Sequence, residues 1–111
     1  MQITTTHLKR CDILALSGRF DSNTSPELDR ALQAVMAAGT YRIVLDMTGV
    51  EYFGSAAIRA LVAAYKECRK HNRGGVHLSC VPERIAKVLE LAGIMPLINS
   101  YPDNVQAVGD F

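Results

Sequence analysis

Tyr41-Arg42-Ile43-Val44-Leu45-Asp46-Met47 carries Ile43, Val44 and Leu45 in an unbroken apolar row. A half-exposed strand alternates apolar with polar residues. A continuous aliphatic run therefore predicts a strand covered on both faces, as a central parallel strand is. The residues before it agree. Ser25-Pro26-Glu27 reads as an N-cap, a proline at the first helical position and an early acid, and Leu28, Ala31, Leu32, Val35 and Met36 follow at helical spacing up to Gly39. Asp12–Phe20, with Ile13, Leu14 and Leu16, reads as a strand ahead of that helix. Strand, helix, strand in this order implies a right-handed crossover with the two strands parallel.

Outward from this unit the same signals continue. Residues 2–8 contain the β-branched run Ile3 to Thr6 and predict an antiparallel partner for the second strand, turning near Lys9 and Arg10. Downstream, Ser55 caps a second helix whose apolar stripe is Ile58, Leu61, Val62, Tyr65 and Cys68, ended by Gly74-Gly75. Val76, Leu78 and Cys80 alternate with His77 and Ser79 as a fourth strand. Pro82 opens a third helix through Ile85, Val88, Leu89 and Ala92 to Gly93. Residues 97–101 predict a last short strand and residues 104–108 a terminal helix. The expectation is one α/β domain over residues 1–111: a mixed, mostly parallel sheet of four to five strands packed with about four helices.

The chain of 111 residues is 49% hydrophobic, enough for a real core and unlike the polar composition of disordered chains. Twelve Lys and Arg against 11 Asp and Glu leave a charge of +1, too little to hold a phosphate backbone, so nucleic acid is not the expected partner. No basic-then-apolar leader and no long apolar run is present, which points to a cytoplasmic protein without membrane contact. Cys11, Cys68 and Cys80 lack a CxxC spacing and His7, His71 and His77 lack an HxxxH or HExxH arrangement, so neither metal nor cofactor is expected.

In sheets of this kind the functional edge lies beyond the carboxyl ends of the parallel strands. Here that edge is formed by residues 18–24 and 48–54, which the crossover brings to one end of the sheet, with Asp21 and Ser55 as neighbours. Ser55 has two readings. It is an N-cap satisfying one backbone N–H, or it is a serine placed where free N–H groups and the positive helix end favour an attached phosphate. Asp21 either bonds its own loop or orients the serine hydroxyl. Asp46 has the same alternatives, weighted toward capping. A hydrolase is disfavoured, because Phe53-Gly54-Ser55-Ala56-Ala57 departs from Gly-x-Ser-x-Gly and no histidine lies at this edge. Arg69-Lys70-His71-Asn72-Arg73 reads as a solvated helix end, and Gly74-Gly75 as a turn without a Walker lysine.

The stretch Leu45-Asp46-Met47-Thr48-Gly49-Val50-Glu51-Tyr52-Phe53-Gly54-Ser55-Ala56-Ala57-Ile58-Arg59-Ala60-Leu61 resembles the signature of STAS domains, specifically the bacterial anti-sigma factor antagonists, Asp-Leu-Ser-x-Val-x-Tyr-Ile-Asp-Ser-Ser/Thr-Gly-Leu-x-x-Leu. Leu16-Ser17-Gly18-Arg19-Phe20-Asp21 is similar to that family's Leu-x-Gly-x-Leu-Asp, and Leu89-Glu90-Leu91-Ala92-Gly93-Ile94 to its Leu-Phe-x-x-x-Gly-Leu. The resemblance implies a STAS fold and a non-enzymatic switch that binds an anti-sigma factor with serine kinase activity, is phosphorylated at Ser55 and released, and is restored by a serine phosphatase. It implies a partner-binding surface of Asp21, Ser22, Asn23, Gly54, Ser55, Ala56 and Ala57, and the helical spacing adds Arg59, one turn beyond Ser55. Two positions depart from the pattern. Gly54 replaces the acid before the serine, and Ala57 replaces a glycine two residues after it, adding a methyl where a partner approaches. The competing functions are an unphosphorylated STAS subunit of a transporter or stressosome-like assembly and a small-ligand or guanine-nucleotide module.

Overall fold

The computed structural model describes residues 1–111. Its elements in chain order are β1 (Gln2–His7), β2 (Asp12–Phe20), α1 (Ser25–Ala37), β3 (Arg42–Phe53), α2 (Ser55–Arg69), β4 (Gly75–Ser79), α3 (Glu83–Leu91), β5 (Ser100–Tyr101) and α4 (Asn104–Gly109). The sheet runs β1-β2-β3-β4-β5 in sequence order. β1 is antiparallel to β2 and every later pair is parallel. The expected mixed sheet is present, with β5 cut to two residues.

Side chains of β3 divide the interior into two parts. Ile43, Leu45 and Met47 join Leu14, Leu16, Leu28, Leu32 and Leu61 in the main core under the helices. Val44 faces the other way, onto Cys11 and Ala107 beneath α4. That second layer is pinned by polar bonds. Asn104 Nδ2 donates to Asp46 Oδ2 (3.0 Å), and the fully buried Ser79 hydroxyl bonds Asn104 Oδ1. Asp46 Oδ1 also accepts the Thr48 N–H (3.0 Å) and hydroxyl (2.6 Å). Partial burial raises the Asp46 pKa, but the Thr48 and Asn104 bonds outweigh it and hold the carboxyl below its ordinary value. Its structural reading is the one the geometry supports.

Three sequence expectations are corrected. β3 does not stop at Met47 but continues to Phe53, so residues 48–53 are strand rather than loop. Two register shifts against β2 put Met47, Val50 and Phe53 inside at every third position, which erases the period-two signature. The core face of α2 is Ala57, Ala60, Leu61, Ala64 and Cys68, with Ile58, Val62 and Tyr65 only half-buried. Small residues there let the helix approach closely, and an alanine stripe is weakly apolar beside isoleucine and valine. Ser25 is the first residue of α1 rather than its cap. Thr24 holds the cap position, and the Ser25 hydroxyl, 3% exposed, finds no partner.

Asn104→Ala strands the fully buried Ser79 hydroxyl and removes one donor from the half-buried Asp46 carboxylate. Buried polar groups left unpaired cost roughly 1–3 kcal/mol. Urea denaturation is expected to show a loss in that range with an unchanged slope, and an unaltered midpoint contradicts the pinning of α4.

Candidate functional site

β2 and β3 end side by side. Phe20 pairs with Phe53, and the Gly54 N–H donates to the Phe20 carbonyl (2.9 Å). The segments leading into α1 and α2 therefore leave the sheet together, which is the neighbour relation that the crossover required. Gly18 contributes to this geometry. It sits at a register shift in β2 with φ +92°, and a Cβ there would stand 2.8 Å from the Met1 Cα.

The Asp21 carboxylate is committed to its own turn. Its Oδ1 accepts the N–H groups of Asn23 (2.9 Å) and Thr24 (3.1 Å). The Thr24 hydroxyl accepts the Asp21 N–H (3.0 Å) and donates to the Arg19 carbonyl (2.7 Å). The Thr24 N–H bond foremost, then that of Asn23, holds this carboxyl below its ordinary value. No hydrogen bond joins Asp21 to Ser55, so the proposed orientation of the serine hydroxyl by this acid is absent. Asp21 shapes the loop that presents Ser22 and Asn23, both exposed.

Ser55 is the first helical residue of α2, not its cap. Gly54 occupies the cap in an extended conformation (φ −87°, ψ −176°), and no side chain closes the helix end. The helical ladder begins with the Ile58 N–H on the Gly54 carbonyl (3.0 Å), so the Ser55, Ala56 and Ala57 amides lie ahead of it. The Ser55 side chain is exposed and makes no hydrogen bond within the protein. The first turn of α2 holds no acidic residue, whereas α1 has Glu27 and α3 has Glu83.

The residues around Ser55 separate into exposed and closed. Gly54 and Ala56 are half-buried and Arg59 is exposed, facing a groove between α1 and α2 lined by Ser22, Pro26, Asp29 and Ala56. Ala57 is 0% exposed and belongs to the core, so its expected contact with a partner is corrected: its methyl packs inward. Gly54 is explained by Tyr52. A Cβ at position 54 would lie 2.9 Å from the Tyr52 ring, which in turn sits 4.6 Å below the Arg19 guanidinium. An aspartate there requires that ring to move.

Two members of the site escaped the sequence reading. Tyr52, 42% exposed, and Arg84 line a second groove beside Ser55, with Glu51, Gly54 and Val88. Arg84 lies outside the signature stretch, and its helical spacing marks only a solvent-facing position. Two of the three thiols are buried and held in the protonated form: burial pushes Cys68 up to about 11 and also raises Cys11. Each histidine is engaged elsewhere, His7 with Asp12 (2.8 Å), His71 stacked on Tyr41, and His77 donating to the Ala107 carbonyl (2.8 Å).

Residues 2–107 match the family model described as STAS domain. The Bordetella bronchiseptica protein BtrV, which carries the name of an anti-sigma factor antagonist, is 28% identical over 103 residues, 90% of this chain and 88% of its own. The crystal structure of an anti-sigma factor antagonist from Mycobacterium paratuberculosis superposes with a TM-score of 0.88 at 23% identity, over 98% of this chain and 92% of that one. The Bacillus cell fate determinant SpoIIAA in its phosphorylated form superposes with a TM-score of 0.75 at 13% identity, over 98% of both chains.

Because Ser55 caps nothing, Ser55→Ala is expected to change stability by no more than about 0.5 kcal/mol, the usual range for a surface substitution. A loss of ~1 kcal/mol or more in denaturation would restore the capping role. Asp21→Asn tests the turn through pH. A carboxyl depressed in the folded state stabilises above its unfolded pKa, and that contribution is lost as pH falls through the folded value. The variant is expected to melt below the wild type at pH 7 and to converge on it in acid below the ordinary carboxylate range. A pH-independent gap contradicts the assignment.

Proposed function

The chain belongs to the STAS domain family, and from that premise we propose that it is an anti-sigma factor antagonist acting by partner switching. Unphosphorylated, it docks on an anti-sigma factor with serine kinase activity through Asp21, Ser22, Asn23, Gly54, Ser55, Ala56 and Arg59. The kinase moves the γ-phosphoryl of ATP to Ser55 Oγ: the O–P bond forms as the bond to ADP breaks, and the hydroxyl proton passes to a base of the kinase. A serine phosphatase reverses the modification. The chain itself is a regulator rather than an enzyme, acting in the cytoplasm, and no helix is long and apolar enough to cross a membrane.

The observation that carries this reading is the free, exposed Ser55 hydroxyl on the first residue of α2. Phosphate brings about −1.5 to −2 charges. At a helix start without an acid in its first turn, that charge meets unpaired N–H groups and the positive dipole end, so the isolated chain tolerates it. A partner packed over the same serine meets charge, bulk and a desolvation cost. One modification is thus benign to the fold and adverse to the complex, which is what a reversible switch requires. The names carried by BtrV and by the structural relatives support the reading at the level of the family.

Incubation with the cognate kinase and ATP is expected to add one phosphate to the wild-type mass and none to Ser55→Ala. Ser55→Ala keeps kinase affinity, while Ser55→Asp remains folded and binds at least tenfold more weakly by calorimetry. No mass gain with an active kinase, together with equal affinity of all three proteins, overturns the proposal. It would leave the chain as an unphosphorylated STAS subunit of a transporter or stressosome-like assembly.

A further inference from the structure

β3 outruns its neighbour. Its ladder with β4 ends at Asp46 and Ser79, so residues 47–53 present an edge that no strand covers. α3 lies beside that edge, and Arg84 closes part of it by donating from Nη2 to the Glu51 carbonyl at 2.7 Å. A guanidinium has five N–H donors. This is the single hydrogen bond that Arg84 makes, and no carboxylate pairs with it. The groove that holds Arg84 also holds Ser55, Gly54 and Tyr52. A cation with unused donors, pinned by one bond and sharing a groove with a free serine hydroxyl, has the composition of half of a phosphate site.

We propose that Arg84 is an intramolecular phosphate clamp: when Ser55 carries a phosphoryl group, the remaining Arg84 N–H groups bind its oxygens across the groove between β3 and α3. The inference rests on Ser55 being the modified residue. Gly54 is consistent with it, since an acid immediately before the serine would compete with the phosphate for the same guanidinium. Arg59, the cation one helical turn beyond Ser55, lines grooves toward α1 and toward the end of α3 but not the one that Ser55 and Arg84 share, which makes it the control rather than the partner. Glu51 and Tyr52 from β3, Asp21 and Arg19 from the β2 side, Arg59 from α2 and Glu83 and Lys87 from α3 are the other charged or titratable groups around this helix start. They are common to wild type and Arg84 variants, so differences between those proteins report residue 84.

The test uses the full chain with phosphoserine installed at position 55 during translation, which makes it independent of any kinase. Phosphorus NMR follows the second ionisation of the phosphate through pH in the wild type, Arg84→Gln, Arg84→Lys and Arg59→Gln. Glutamine keeps a donor for the Glu51 carbonyl and removes the charge, and lysine keeps the charge. The wild-type midpoint is expected below that of Arg84→Gln by several tenths of a pH unit or more, since a nearby cation favours the dianion. Arg84→Lys is expected to retain most of the shift and Arg59→Gln all of it. Phosphorylation also raises the wild-type melting temperature more than that of Arg84→Gln. Identical midpoints for the wild type and Arg84→Gln overturn the clamp, as does a shift that follows Arg59 instead. Should Arg84→Gln melt early without phosphate, Arg84→Lys and Arg84→Met decide between charge and edge covering. Failure of a kinase to modify Ser55 while the clamp is seen in the installed phosphoserine refutes the switch alone.

Discussion

Phe20 and Phe53 face each other at the ends of two parallel strands, both closed to solvent, with ring centroids 6.0 Å apart. Each ring is worth ~3–5 kcal/mol against truncation to alanine, so the register they hold does not slip cheaply. From that fixed point the chain leaves twice, into the Asp21 turn and into Gly54. The separation of the two segments is set by one strand spacing and by the Gly54 N–H on the Phe20 carbonyl. The proposed docking surface, whose residues lie on separate segments, needs this rigidity, because a surface built on independent loops would have to be ordered at each encounter.

The unequal strand lengths explain the rest of the site. A twelve-residue β3 beside a five-residue β4 leaves backbone without a ladder, and uncovered edges invite pairing with other chains. Arg84 covers one carbonyl, and the Tyr52 ring, held under Arg19, covers the Gly54 backbone. Protection of the edge and construction of the groove beside Ser55 are therefore the same arrangement of side chains.

The element order, the parallel crossover and the meeting of the two functional segments were legible in the sequence, because they rest on long apolar runs and on punctuation by Pro26, Gly39, Gly74 and Gly93. What was not legible follows from local rules broken by tertiary geometry. The second half of β3 hides behind two register shifts that turn an alternation into a three-residue spacing. The alanine face of α2 is outvoted by Ile58 and Val62 on any apolarity scale, and Ala57, assigned to the partner surface by the resemblance alone, lies on that buried face. Cap assignment failed twice by one residue, at Ser25 and at Ser55. A serine and its neighbour offer equal composition evidence, and only backbone dihedrals tell cap from first turn. Arg84 lies distant in sequence, and nothing about an exposed helical arginine announces a neighbour across a groove.

Ser55 as the first residue rather than the cap changes what its hydroxyl is free to do. A capping oxygen is occupied with a backbone N–H, so transfer of a phosphoryl group to it would first break a bond that stabilises the helix. An N1 hydroxyl has no such bond to lose. The cap position here is filled by glycine, which offers no side-chain acceptor. Gly54 thereby leaves the amides of the first turn open, and α2 supplies no acid of its own to satisfy them. The helix start is incomplete in the unmodified chain, and an anion attached at Ser55 completes it from outside the folding code. On the proposed reading, regulation at this position draws on a deficit that the fold already contains, so the unmodified and phosphorylated forms need not differ in backbone for their surfaces to differ in charge.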